Sequence, residues 1–328
     1  MQRRTLNLLA PAAVLAAVLG AAAPAISQTP GYPSKPIRMI IPSTPGGGTD
    51  FIGRLLSTKL AEMNGWSVVP DNKPGAGTAL GLAEAARASP AGYDLVVGQT
   101  DNVSLIPLLL KVAYDPIRDL TPVALVATTP MILVVPENSP YKTLNDMVQA
   151  AKAAPGTLSY GTSGTGGGAH ISMELLQGAA GFKAQHVPYK GSTPALADVM
   201  GGHLAMAATS ISSATTLLKS GKMRALAVTS PRRVAAVPEV PTVAEAGLQH
   251  ADFVTFYGIF APAGLPPPLL QRLNADFNKI LAMPDVRSAL QGNGLEPQPI
   301  SAEEFAAMVK ADIQKNRAVI QSAHIKVE

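Results

Sequence analysis

The chain has no cysteine, one tryptophan and only 5% aromatic residues. Without thiols it has no lipid-anchoring cysteine and no disulfide, which excludes a lipoprotein anchor. That absence fits an exported protein whose core is large enough to do without disulfides. Charge is sparse as well: 15% of residues are charged, with a formal net charge of +4. So mild and scattered an excess argues against nucleic acid or a charged membrane surface as partner. The five histidines, at 170, 186, 203, 250 and 324, show no metal-ligand spacing, and no metal site is expected. Beyond residue 27 there is no low-complexity tract, no long charge run and no tandem repeat.

What is present begins with an export signal over residues 1–27. Arg3 and Arg4 precede an Ala/Leu/Val-rich stretch, and Ala25-Ile26-Ser27 offers small residues for cleavage. The apolar run Ala12–Ala23 would reach only about 18 Å as a helix, against a ~30 Å bilayer core. That length opposes the competing reading, a membrane anchor. Arg3-Arg4-Thr5-Leu6 partly matches a twin-arginine signal, but Asn7 interrupts the apolar stretch, so both export routes stay open. The expected location is the periplasm.

The remainder is long for one domain and comfortable for two. Its first third alternates: strand Ile37–Ile41, helix Thr49–Met63, strand Trp66–Val69, helix Thr78–Ala88, strand Asp94–Gly98. A βαβαβ series with short connections implies a parallel sheet with right-handed crossovers. Val123–Ala127 and Met131–Val135 are expected as two strands separated by Thr128-Thr129-Pro130, leading into a second α/β unit. There the alternation resumes, with Ser192 expected to cap a helix over Pro194–Met200. Val254–Pro262 carries the chain back, and helices Pro267–Ala282 and Ala302–Ser322 close the molecule. The expected organisation is one lobe from 28–127 and 252–328, and a second from 128–251.

Two glycine-rich loops each join a strand to a helix. The first contains Ser43, Thr44, Pro45, Gly46, Gly47 and Gly48; the second contains Ser163, Gly164, Thr165, Gly166 and Gly167. Small residues, hydroxyls and free N–H groups at a helix start form an anion-binding device, because those N–H groups lack internal partners and the dipole is positive there. Two such loops on one cleft suggest a grip on a small carboxylate from both sides. Asp50 is expected as a cap or as a first-turn acid that stabilises the dipole, rather than a ligand contact. Thr100 follows the third strand at the same sheet edge, where its hydroxyl would reach the cleft. His170 is either a cap or a ligand contact, and Lys190 either adds positive charge or is solvated. A third loop, Lys73–Thr78, fits packing and turn geometry better than binding.

Gly164–Ala169 also fits G-x-G-x-x-A, which raises an exported dinucleotide-dependent oxidoreductase as the alternative. The ribose-binding acid expected about 20 residues on is missing, since His186-Val187-Pro188-Tyr189-Lys190 stands there. A hydrolase around Ser163 and His170 lacks the G-x-S-x-G elbow, because Thr165 holds the final glycine position.

The chain resembles the Bug family, the TctC-like periplasmic solute-binding proteins of tripartite tricarboxylate transporters. The resemblance covers nearly the whole chain beyond residue 27. It is carried by Tyr32–Arg38 with Pro45-Gly46-Gly47, Asn72–Gly77, Tyr114-Asp115-Pro116, Tyr160–Gly166, His186–Gly191, Arg224–Ser230, Val240–Gly247 and Ala261–Gly264. It implies a two-lobed, type II-like Venus-flytrap fold, α/β in class, each lobe a mostly parallel sheet flanked by helices. It further implies a monomer that binds a small carboxylate between its lobes, works with membrane permease subunits, performs no chemistry and needs no cofactor. The family's carboxylate-holding loops map to Ser43–Gly48 and Ser163–Gly167. Ser43, Gly167 and Ala205 depart from common family choices, which suggests a roomier and less polar cleft on one side.

Overall fold

Ile37, Met39, Ile40 and Ile41 are all fully buried, as a strand covered by helices on both faces requires. They belong to β1 (Ile37–Ile41), the centre of a parallel trio with β2 (Val68–Asn72) and β3 (Asp94–Gln99). Helices α1 (Gly48–Asn64) and α2 (Ala79–Ala86) make the crossovers. The α1 backbone lies so close to β1 that a Cβ on Gly53 would stand 2.6 Å from the Ile41 side chain. The computed structural model describes residues 31–189 and 191–326, and Lys35 onward forms one compact unit. The export signal at 1–27 and Lys190 lie outside the described residues.

After a wide turn at Asp101–Leu105 and the short α3 (Ile106–Leu109), the chain enters β4 (Leu120–Pro136). Two strands were expected here; one strand of 17 residues is found. It stays continuous because it changes partners. Residues Leu120–Pro130 pair with β9 (Val254–Pro262), and Met131 onward pairs with β7 (Met206–Ser210) and β8 (Met223–Val228). Pro130, which has no N–H to donate, stands at the changeover.

Around β4 the second unit repeats the first. The helices are α4 (Leu144–Ala153), α5 (Gly168–Ala180), α6 (Ser192–Met200) and α7 (Ile211–Lys219); β5 (Ser159–Thr162) and β6 (Gln185–Pro188) join β7 in a parallel trio. The strand order is β2-β1-β3-β9-β4 in one lobe and β6-β5-β7-β4-β8 in the other. In each, a parallel trio meets one long antiparallel strand arriving from the other lobe. The chain closes with α8 (Pro267–Ala282), α9 (Pro284–Gly292), the short β10 (Glu296–Pro297) and α10 (Ala302–Ser322). Phe305 and Val309 of α10 join the core around Ile40 and Phe260, whereas Val319 and Ile320 join the core around Leu133 and Tyr160.

Two local expectations change. Gly191, not Ser192, occupies the cap position of α6, and no side chain caps it. Helix α7 was not anticipated, because Ile211-Ser212-Ser213-Ala214-Thr215-Thr216 is rich in weak helix formers. Buried Ile211 and Ala214 and the Ser210 cap hold it in place.

Candidate functional site

Both glycine loops are braced from behind by side chains. In the first, Asp50 Oδ2 accepts the Gly46 N–H at 2.9 Å, and Asn72 donates to Ser43 O at 3.0 Å and to Asp50 Oδ1 at 2.8 Å. Burial alone would raise the Asp50 pKa, but bonds from Asn72, Gly46 and Arg54 outweigh it and hold the carboxyl below its ordinary range. Asp50 is thus a loop brace within the first turn of α1, which has no side-chain cap.

In the second loop, His170 Nδ1 accepts the Gly166 N–H at 3.0 Å. Its ring stacks on His186 with centroids 3.8 Å apart, and His186 Nε2 lies 2.7 Å from Thr162 Oγ1. Tyr160 continues the stack and donates its hydroxyl to Glu174 at 2.9 Å. His170 therefore braces the loop through Gly166, and no side chain caps α5 at Gly167. Gly166 has φ +76°, a conformation that favours glycine.

A cavity of about 150 Å³ opens where the long crossing strands meet the ends of the parallel trios. Thr129 and Met131 of β4 and Thr255 and Tyr257 of β9 form one wall. Gln99, Thr100 and Asp101 follow from β3, and Thr209 and Ser210 from β7. Ser163, Gly168 and Ala169 bring the start of α5, and Ser192 the start of α6. The wall is mostly hydroxyl. Thr255 donates to Thr129 O at 3.0 Å, and Thr100 Oγ1 accepts the Phe256 N–H at 2.8 Å. The Thr209 hydroxyl, in a residue 3% exposed, has no partner among the described residues. Asp101 Oδ1 accepts the Gly168 N–H at 3.3 Å, joining the end of β3 to the start of α5.

Of the sequence-derived candidates, Thr100 and Ser163 line this cavity. Gly48 approaches it through Tyr257, whose hydroxyl would lie 3.6 Å from a Cβ at that glycine. Burial, then the nearby Asp101 charge, push the Tyr257 phenol up to about 12, so it stays protonated. Ser43, Thr44, Pro45, Gly46 and Gly47 stand outside the cavity wall, as do Gly164, Thr165, Gly166, Gly167 and His170. Sequence reasoning missed Thr129, Thr209, Thr255 and Tyr257 as site residues. Thr129 and Thr255 are register partners 126 positions apart, and neither carries a local signal.

Residues 52–325 match the family described as Tripartite tricarboxylate transporter family receptor. The chain belongs to this family. Protein BugT of Bordetella pertussis is 31% identical over 327 residues, covering 98% of this chain and 99% of BugT. An R. palustris protein solved with adipate superposes with a TM-score of 0.78 at 30% identity, covering 90% of this chain and 99% of that one. MatC from Rhodopseudomonas palustris, with bound malate, gives a TM-score of 0.73 at 30% identity over 88% of this chain and all of MatC. This receptor therefore has the two-lobed periplasmic-binding-protein fold and a solute-binding role. Among its described residues no helix is long and apolar enough to cross a membrane.

Proposed function

We propose that this TctC-family receptor captures a small carboxylate in the cavity between its crossing strands and closes its lobes over it. The observation that carries the reading is the buried, unpartnered Thr209 hydroxyl on a cavity wall made mostly of hydroxyl residues. A carboxylate accepts from hydroxyls and helix-start N–H groups without needing a full counter-charge. The moving bodies are 28–127 with 252–328 against 128–251, and the braced loops Ser43–Gly48 and Ser163–Gly167 flank the opening. Closure excludes water and strengthens each of these bonds. The mature monomer, freed of residues 1–27 in the periplasm, then presents its closed form to transporter permease subunits. Adipate and malate in related structures support the ligand class.

A thermal-shift screen of residues 28–328 against mono-, di- and tricarboxylates tests this. Ligand at 100 times its Kd adds about 2.7 kcal/mol of stability. A shift with a carboxylate that is lost in Thr209→Val supports the proposal. No shift with any carboxylate refutes it.

A further inference from the structure

The cavity wall is poor in charge. Among its described residues there is no Arg and no Lys, and Asp101 is the single ionisable carboxylate. A ligand with two or three carboxylates would find hydroxyls for one of them and no cation for the rest. It would also lie against Asp101, a like charge in a desolvated site.

Asp101 is placed to do more than repel. Its Oδ1 sits on the Gly168 N–H, at the positive end of α5, so that N–H already has an acceptor. Its Oδ2 accepts no hydrogen bond among the described residues. The facing wall, on β7, offers the unpartnered Thr209 hydroxyl as a donor for an anion. The cleft thus has a free carboxyl oxygen on one side and a free neutral donor on the other.

Resting on the carboxylate-binding reading, we propose that Asp101 selects the ligand class: a monocarboxylate bearing an ammonium group, with the ammonium on Asp101 Oδ2 and the carboxylate on the hydroxyl wall. Burial pushes the Asp101 pKa above its usual range, the condition of a carboxylate without a cation beside it. An ammonium supplies that cation and completes its hydrogen bonding. The zwitterion enters without net charge, which suits a wall of neutral hydroxyls.

The test is calorimetric titration of residues 28–328 at pH 7.5 with probes of matched carbon number: an amino monocarboxylate, its hydroxy and unsubstituted counterparts, and the dicarboxylate. The amino compounds are expected to bind about 10- to 100-fold tighter than their deaminated counterparts. Asp101→Asn is expected to erase that preference, with folding checked by its melting curve. Dicarboxylates or deaminated acids binding tightest to the native chain would overturn the proposal while leaving carboxylate capture intact. Binding of none of these probes would overturn both.

Discussion

The rings of His170 and His186 lie nearly parallel, 16° apart in plane and 3.8 Å between centroids. One ring holds the Gly166 N–H and the other bonds Thr162, so the pair clamps both ends of the second glycine loop. Burial first, and the neighbouring His170 second, depress the His186 pKa to about 4.

That depression makes stability pH-dependent. Above the unfolded value of 6.5 both states hold His186 neutral, and it adds no slope. As pH falls from 6.5 to about 4, the unfolded chain takes up a proton that the native ring refuses, and stability is lost across that window. Melting curves at pH 7.5, 5.5 and 4.5 should show a shallower decline in His186→Gln than in the native chain. Equal declines would rule out this residue as the source.

Asp312 of α10 works in the opposite sense. Burial raises its pKa to about 6, partly offset by its hydrogen bonds. An acid with a raised folded pKa loses stability as pH rises from the unfolded value of 3.8 to about 6, with the full cost present above that window and none below it. Asp312→Asn keeps an acceptor for Asn316, which donates to Asp312 at 3.1 Å. The variant should be more stable at pH 7.5 by up to about 2 kcal/mol, with the gain vanishing near pH 4. Urea unfolding at the two pH values measures it.

Asp50→Ala removes the acceptor for Gly46, Asn72 and Arg54 together. A loss of about 1–3 kcal/mol is expected, as for a buried hydrogen-bond hub left unpaired. Weaker ligand binding should accompany it, read by the same titrations.

Glycines of the two loops should separate by position. A Cβ on Gly168 would meet Thr255 Cγ2 at 2.8 Å, whereas one on Gly47 meets nothing within 4 Å. Gly168→Ala should push β9 away from α5, costing about 1–3 kcal/mol and impairing binding. Gly47→Ala should leave the melting temperature nearly unchanged. Equal effects on stability would contradict this packing.

Much of the frame was legible because local signals agree with the final packing. The Ile37–Ile41 run, the face of α1 and the Val254–Pro262 strand all follow from hydrophobic period and punctuation. Breaks at Thr128-Thr129-Pro130 misled, since Pro and Thr there mimic a turn while two different sets of partner strands keep the strand continuous. The loop braces were half visible: Asp50 stood in a first turn, but nothing near Gly166 revealed that His186, on another strand, would stack behind the His170 ring that holds it.

By itself the sequence determined the α/β alternation, the two glycine loops and the family, because each is written in short-range pattern and residue identity. Only the tertiary structure decided the wall of the cleft. Thr129, Thr209, Thr255 and Tyr257 come from strands far apart in the chain, and Asp101 meets Gly168 across 67 positions. Such juxtapositions arise from long-range strand pairing, which fixes side chains against one another without leaving a mark on their neighbours in sequence.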